Sequence, residues 1–322
     1  MINFRLIALL IALAVGIVSW ALTCAAWRYD AVVAGVRPLE PRTFERLTLV
    51  TLGTGGVHED HNRRGPATAL ALGARVLLVD AGRGVAESLR AAQIPVSQPD
   101  TVLLSSLLPE NTLGHDDLLV MGWIAGRREP LALRGPVGTR ALATAVEAST
   151  RAGVEARARG VGLDGPGPGF AVEEIAEGWQ AELGALRVRA GALPGGPTAA
   201  FAYRFEWRER SAVVGGAGWA PDALIALARG VNVLVHEAVF VPTPELAEEL
   251  GVETDPEMLR AEAALHTALA DVGDLARRAG AGTLVLVRLR PPPVYDFQIT
   301  SVVDDRYDGR ILIASDGDEI TP

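Results

Sequence analysis

Apolar positions along the chain follow two alternating periods, which predicts a mixed α/β domain. Short apolar runs mark strands, among them LTLVTLG from Leu47, TVLLSSL from Thr101 and TLVLVRL from Thr283. Between such runs, apolar residues recur every three or four positions, as in GVAESLRAA and PDALIALARG, which predicts amphipathic helices. Residues 261–280 are predicted as one long helix of this kind. Two β-rich halves with interspersed helices predict a four-layer αββα sandwich, in which helices cover two mixed sheets.

The N-terminal segment is long and apolar enough to cross a membrane. Residues 6–27 carry no charge and would span about 33 Å as a helix, which matches the hydrocarbon core of a bilayer. We therefore predict a transmembrane signal anchor over residues 1–28, a linker over 29–46 that contains Pro38 and Pro41, and one α/β domain over 47–322. A cleaved signal peptide is the competing interpretation, because Ser19-Trp20-Ala21 is a small-x-small site.

The sequence contains conflicting signals for the orientation of this segment in the membrane. Arginines follow the span at positions 28, 37, 42 and 46, and the positive-inside rule would place the domain in the cytoplasm. However, Arg5 followed directly by an apolar run is typical of an export signal. We expect a single-pass protein with a periplasmic or otherwise extracytoplasmic domain.

The amino-acid composition limits the kinds of partner that the protein can bind. The chain has 322 residues, 49% of them hydrophobic, with a formal net charge of −9 and a sequence pI of about 5.2. Such a surface repels nucleic acid, so no nucleic-acid partner is expected. The expected partners are the membrane, through the N-terminal helix, and a small molecule or protein of unknown identity, with a homodimer as a further option. The single cysteine, Cys24, excludes an intramolecular disulfide.

The segment VLLSSLLPENTLG from Val102 resembles the metal-binding signature T-H-x-H-x-D-H…T-x-G of metallo-β-lactamase-fold hydrolases. The similarity is strongest to the branch that holds ribonuclease Z and arylsulfatase-type enzymes, and it runs from about Leu47 to the C-terminus. SAVVGGAG is similar to S-V-V-x-S-G-D-T of that family, and LVLVRLRPP is similar to L-V-L-T-H-L-x-P.

The resemblance implies a site for two zinc ions, but the residues at the ligand positions are not ligands. The chain has these residues there: Ser106, Leu108, Glu110, Asn111, Pro194, Ala217 and Arg288. Only Glu110 is of a ligand type, because leucine, proline and alanine cannot bind zinc and a guanidinium repels it. From this loss we expect no metal and no other cofactor. We also expect Arg288 to occupy the vacated cavity and to pair with Glu110.

Other polar residues remain candidates for chemistry. The resemblance implies that Glu237, in an H-E-A strand end, and His266, in an H-T helix start, form a proton-donating pair, so these are the catalytic candidates. Because the sequence offers no nucleophile or metal beside them, a hydrogen-bonded pair with a purely structural role is the favoured interpretation. His58 and His61 in the turn GTGGVHEDHNRRGP, together with His115 and His236, complete the candidate pocket with Ser106, Glu110, Asn111 and Arg288.

These observations leave three functions open. The first is a catalytically degenerate, membrane-anchored protein, a pseudoenzyme that acts as a binding or scaffolding module. The second is a hydrolase of phosphoesters or sulfate esters with a relocated or residual site. The third is a tRNA 3′-processing endonuclease, which the acidic surface disfavours.

Overall fold

The computed structural model describes residues 4–57, 62–162, 167–216, 218–240, 244–249, 255–290 and 295–322. They form two compact units, Met1–Leu39 and Glu40–Pro322.

The first unit is formed by helix α1, Phe4–Val36. Its stretch Leu9–Tyr29, with a mean hydropathy of 2.3, is long and apolar enough to span a membrane. The helix continues beyond residue 28, so it takes up part of the predicted linker. It ends before Pro38, because the residue preceding a proline is disfavoured in the helical conformation.

The second unit contains two seven-stranded mixed sheets, which confirms the predicted fold class. The first sheet has the order β14-β1-β2-β3-β4-β5-β6 and the second β13-β12-β11-β10-β9-β8-β7. The strands of the first sheet are β1 (Phe44–Gly53), β2 (Ala67–Gly73), β3 (Arg75–Val79), β4 (Thr101–Leu103), β5 (Leu131–Gly135), β6 (Phe170–Glu174) and β14 (Glu319–Ile320). The strands of the second sheet are β7 (Gln180–Leu183), β8 (Leu186–Ala192), β9 (Phe201–Trp207), β10 (Arg210–Val214), β11 (Val233–Val239), β12 (Thr283–Arg290) and β13 (Arg310–Ile313).

The second unit also contains nine described helices, several of which cover the outer faces of the sheets. They are α2 (Val85–Ala91), α3 (Pro109–Thr112), α4 (His115–Ile124), α5 (Thr139–Val161), α6 (Pro221–Leu227), α7 (Pro244–Glu249), α8 (Pro256–Ala263), α9 (Leu269–Ala279) and α10 (Asp296–Asp304).

Three apolar cores separate these four layers. One lies between the sheets, where Leu77 and Val235 are fully buried, and the other two lie between each sheet and its helices, around Leu89 and Leu275. All the buried apolar side chains of the described chain belong to this unit. Residues 40–322 therefore contain the cores that an independently folding domain requires.

The predicted long helix over residues 261–280 is broken. Helix α8 ends at Ala263 and α9 begins at Leu269, and between them Ala268 pairs with Val239 in an isolated β-bridge. The helical pattern of apolar residues is overridden here because His266 and Thr267 contact residues of β11.

The parallel strands bring their carboxyl ends to a common edge. Strands β3 to β6 are parallel in one sheet, and β10 to β13 are parallel in the other. Asp80 follows β3 and hydrogen-bonds Arg288 of β12, so both sets of strand ends meet there. Ligand sites in α/β proteins form at such edges, and the candidate residues cluster at this one.

Candidate functional site

An ion pair between Asp80 and Arg288 lies at the centre of the site. Arg288 Nη2 is 3.0 Å from Asp80 Oδ2, and the two side chains are 10% and 2% exposed. The predicted partner of Arg288 was Glu110, and that prediction is wrong. Glu110 is half-buried on the short helix α3, whereas Asp80 projects from the end of β3 between the sheets.

Two serines and an amide extend this pair into a network. The backbone N–H of Ser105 donates to Asp80 Oδ1 at 2.8 Å, and its hydroxyl donates to Oδ2 at 2.7 Å. Asn111 Nδ2 donates to the Oγ atoms of Ser105 at 3.1 Å and Ser106 at 2.8 Å. Asp80, Ser105, Ser106 and Asn111 are all buried. Two residues at former ligand positions, Ser106 and Asn111, are thus engaged with each other.

The guanidinium of Arg288 is held by backbone as well as by Asp80. Arg288 Nη1 donates to Gly216 O at 3.0 Å, and its backbone N–H donates to Thr54 O at 2.8 Å. Thr54 is in turn fixed by Asp316, whose Oδ1 accepts from the Thr54 backbone N–H and hydroxyl. The β1 and β10 ends and the C-terminal loop together set the position of Arg288.

Both members of the ion pair have a left-handed backbone. Asp80 has φ +61° and Arg288 has φ +52°, and they are two of four described non-glycine residues with positive φ. Residues with a Cβ adopt this conformation at a cost of about 1–2 kcal/mol each. Such strain persists only where surrounding contacts impose it, and it concentrates at functional sites.

Burial dominates the ionisation of Asp80. Desolvation raises the pKa of this carboxyl to about 6, although the charge of Arg288 and the hydrogen bonds from Ser105 and Arg288 act in the opposite direction. Asp80 is therefore the group of the network that titrates near neutral pH.

A second pair, Glu237 and His266, lies at the end of β11. His266 Nδ1 donates to Glu237 Oε1 at 3.0 Å, with Glu237 buried and the His266 side chain 20% exposed. Burial alone would raise the pKa of Glu237, but the hydrogen bond from His266 and the charges of His266, Arg288 and His236 hold it below its usual value. A Cβ at Gly218 would collide with Thr267 and His266 backbone, so only glycine permits this approach. The geometry suits proton transfer through His266.

Of the two other described histidines of the candidate pocket, His236 lies in the site and His115 does not. His236 Nε2 is 2.8 Å from Thr267 Oγ1, beside the Glu237 pair, and burial lowers its pKa to about 4. His115 faces away, because its Nδ1 donates to Thr112 O and its ring lies against Phe170. His58 and His61 lie outside the described residues.

The other described positions at which the family signature has ligands supply no ligand side chain to this network. Leu108 is the N-cap of α3 and carries no polar atom in its side chain, and Pro194 is exposed on the turn after β8. Ala217 lies outside the described residues. The sequence had not indicated Asp80 or Thr267 as site residues, although an acidic residue at a strand end before Gly82 was a usable signal for Asp80.

The layered architecture and the edge that its strand ends share define a metallo-β-lactamase-fold protein. The metallo-β-lactamase fold protein YhfI from Bacillus subtilis superposes with a TM-score of 0.65 at 17% identity, covering 86% of this chain and 99% of YhfI. No family model matches the chain.

The sequence comparison is more specific. The chain is 32% identical over 250 residues to ribonuclease Z from Mycobacterium sp. (strain KMS), which covers 76% of this chain and 85% of that relative. The chain belongs to the ribonuclease Z family. It is thus a member of a family of hydrolases with the metallo-β-lactamase fold, as the sequence resemblance had indicated.

The expectation of no metal cofactor is contradicted by the fold's other members. PqqB from Methylobacterium extorquens, solved with bound Zn²⁺, shares this fold with a TM-score of 0.61 at 15% identity, over 86% of this chain and all of PqqB. The expectation had rested on the residue types at single positions of the family signature, and these were too weak a ground for it.

The donors that the described residues offer nevertheless do not fit that ion. Within the described ranges no three His, Cys, Asp or Glu side chains are grouped to hold a metal. At the former ligand positions a guanidinium lies 3.0 Å from Asp80, and Asn111 and Ser106 bind each other. Asp80 is the only carboxylate among the described residues of that network, and its charge is already balanced by Arg288. The network is therefore unsuited to binding a metal cation as well.

Proposed function

We propose that the protein is a membrane-anchored member of the ribonuclease Z family that acts by binding a ligand in its cleft, as a pseudoenzyme. The observation that carries the proposal is the Asp80–Arg288 ion pair at 3.0 Å, at the position where the family signature has its last metal ligand. A guanidinium keeps its charge at every physiological pH and cannot activate water.

The neighbouring hydroxyls supply no substitute nucleophile. Ser105 and Ser106 are both 0% exposed. Ser105 Oγ already donates to Asp80, and Ser106 Oγ accepts from Asn111. A nucleophile must reach the atom that it attacks, so neither serine supports a hydrolase.

Hydrolysis assays on the full-length protein test this proposal. The substrates are bis(p-nitrophenyl) phosphate, p-nitrophenyl sulfate and a precursor tRNA, each with Zn²⁺ or Mn²⁺ supplied. Ribonuclease Z from Mycobacterium sp. (strain KMS) is the positive control for the tRNA. We expect product no faster than in the blank with metal alone. Turnover that scales with protein concentration would overturn the proposal.

A hydrolase with a residual site is the second candidate, and the Glu237–His266 hydrogen bond favours it. A carboxylate and an imidazole at 3.0 Å can form a general acid. If turnover is found, Glu237→Gln and His266→Asn should each reduce it by about two orders of magnitude or more. Exposed Asp116→Asn is the matched control and should leave it unchanged.

Anchoring by α1 is part of the proposal. Support comes from the apolar stretch Leu9–Tyr29. The domain is proposed to lie on the outer face of the membrane, since Arg5 followed by an apolar run is typical of exported chains. The net charge of −9 supports a ligand other than nucleic acid.

A further inference from the structure

The guanidinium of Arg288 has donors to spare. It carries five N–H groups, of which one is used by Gly216 O and one by Asp80. Three therefore have no partner among the described residues. The side chain is 10% exposed and is fixed at both its backbone and its guanidinium, so these donors have a set orientation. Preorganised guanidinium donors suit the planar or tetrahedral oxygens of carboxylate, phosphate and sulfate groups.

Backbone strain is a second indication that Arg288 has a functional role. Asp80 and Arg288 contact one another and both hold a positive φ. A pair kept only for stability has no need of two unfavourable backbone conformations. The strain is explained if it aims the guanidinium.

Several exposed apolar side chains follow the strand ends that meet at this edge of the domain. Ten large apolar side chains are exposed among the described residues of the second unit. Six of them follow the carboxyl ends of strands β1, β4, β5, β11 and β12, and we call them the apolar rim: Val57, Leu113, Val137, Phe240, Tyr295 and Phe297. Tyr295 and Phe297 are stacked at 5.8 Å while 62% and 67% exposed.

This distribution is informative because single exposed apolar residues are ordinary, whereas several of them at one edge of a domain are typical of a binding surface. The other four are distributed over α4, α5, α8 and α10. A ligand at this edge could therefore contact both apolar surface and the donor groups of Arg288.

We infer that this edge of the domain binds an amphiphile, with an anionic phosphate-type head on Arg288 and an aliphatic chain along the apolar rim. The inference rests on the proposed function and names its ligand class. The head is recognised by charge complementarity with the guanidinium, and the chain by burial of its methylenes.

Calorimetric titration of residues 40–322 tests the inference, because this unit contains all the described cores. The probes are inorganic phosphate, butyl phosphate, octyl phosphate and octanol, all below micellar concentrations. Octyl phosphate should bind about tenfold or more tightly than butyl phosphate, because four further methylenes are buried. Inorganic phosphate and octanol should each bind more weakly than octyl phosphate. Equal affinity for the two alkyl phosphates, or no binding of either, would overturn the inference.

Substitutions test whether the binding depends on Arg288 and on the apolar rim. Arg288→Met should abolish measurable binding of octyl phosphate, and exposed Arg83→Met at the same edge is the control. Because Arg288→Met strands Asp80, the double variant with Asp80→Asn provides a folded protein without the charge. Phe297→Ser should weaken octyl phosphate binding and leave inorganic phosphate unaffected, whereas Val161→Ser at the end of α5 should change neither. Undiminished binding in the double variant would show that Arg288 is purely structural.

The same titrations separate the two proposals. Release of inorganic phosphate from bound octyl phosphate would end the pseudoenzyme proposal and leave the ligand class intact. Absence of both binding and release would end the ligand class and leave the proposed function intact.

Discussion

At the scale of single residues, the site is defined by which carboxylate Arg288 meets. The sequence analysis proposed Glu110 as the partner, because the family signature has a carboxylate at that position, and it did not consider Asp80. The structure selects Asp80 because the end of β3 points between the sheets, where Arg288 of β12 also projects. A contact across the sandwich depends on strand pairing, which sequence spacing along one segment does not contain.

The Asp80–Arg288 pair predicts strong coupling in unfolding experiments. Arg288→Met should lower the free energy of unfolding by about 3–5 kcal/mol, because it leaves a buried carboxylate unpaired. Adding Asp80→Asn should recover much of that loss, since the charge that lacked a partner is gone. Urea unfolding of the four proteins gives the coupling. Glu110→Gln should change stability by under about 0.5 kcal/mol, as surface substitutions do. Additive single effects would contradict the pairing.

Buried histidines predict sensitivity to acid. Burial lowers the pKa of His115 to about 4 from 6.5. The unfolded chain then binds more protons between pH 6.5 and 4, so this contribution to stability is present above 6.5 and is lost as the pH falls to 4. For His115 the loss is about 3 kcal/mol. Asp80, with its pKa raised to about 6, acts in the opposite sense.

The contribution of His115 is isolated by comparison with His115→Gln. The free energy of unfolding of the variant should decline less between pH 6.5 and 4 than that of the unchanged protein. Chemical denaturation at several pH values measures both slopes. Parallel slopes would show that His115 becomes protonated in the folded state without cost.

At the scale of elements, the sequence predicted strands well and the helix over residues 261–280 poorly. Apolar runs such as TLVLVRL were sufficient for β12, because a strand buried on both faces is continuous in hydrophobicity. The helical period also continued through His266 and Thr267, yet the chain leaves the helix there. Leaving the helix allows His266 and Thr267 to form hydrogen bonds with Glu237 and His236 on β11. These contacts are long-range in sequence, so a local pattern of apolar residues cannot predict them.

The loop between β10 and α6 predicts a steric test of this junction. Gly218→Ala should place a methyl group against the Thr267 backbone N–H and the Glu237 carboxylate, and should cost about 1–3 kcal/mol. Gly56→Ala is the matched control, since nothing lies within 4 Å of its Cβ position. Thermal unfolding compares the two variants. Equal midpoints would mean that the loop yields without disturbing the pair.

At the scale of the whole molecule, the fold was predictable and the site was not. The alternation of strands and helices sufficed for four layers, since layers follow from where apolar faces must be buried. The site depends on contacts between residues more than 200 positions apart, such as Asp80 and Arg288. The sequence showed which residues stand at the ligand positions of the family signature, but only the structure shows which of them contact one another.

Helix α1 predicts the behaviour of the intact protein in membranes. The full chain should remain in the membrane fraction through an alkaline wash, because Leu9–Tyr29 matches the thickness of a bilayer core. A chain starting at Glu40 should be soluble, and Val15→Arg with Val18→Arg should release the full chain. Sedimentation followed by N-terminal sequencing measures this. A soluble product beginning after Ala21 would identify a cleaved signal instead.

The shared left-handed backbone of Asp80 and Arg288 also bears on which residues position 288 can accept. A histidine at position 288 tolerates such a conformation better than most residues. Taken alone, however, it would leave the carboxylate of Asp80 without its permanent counter-charge. Arg288→His would therefore destabilise the fold unless Asp80 changed with it. The ion pair thus couples the two positions, so that a change at one of them is tolerated only together with a change at the other.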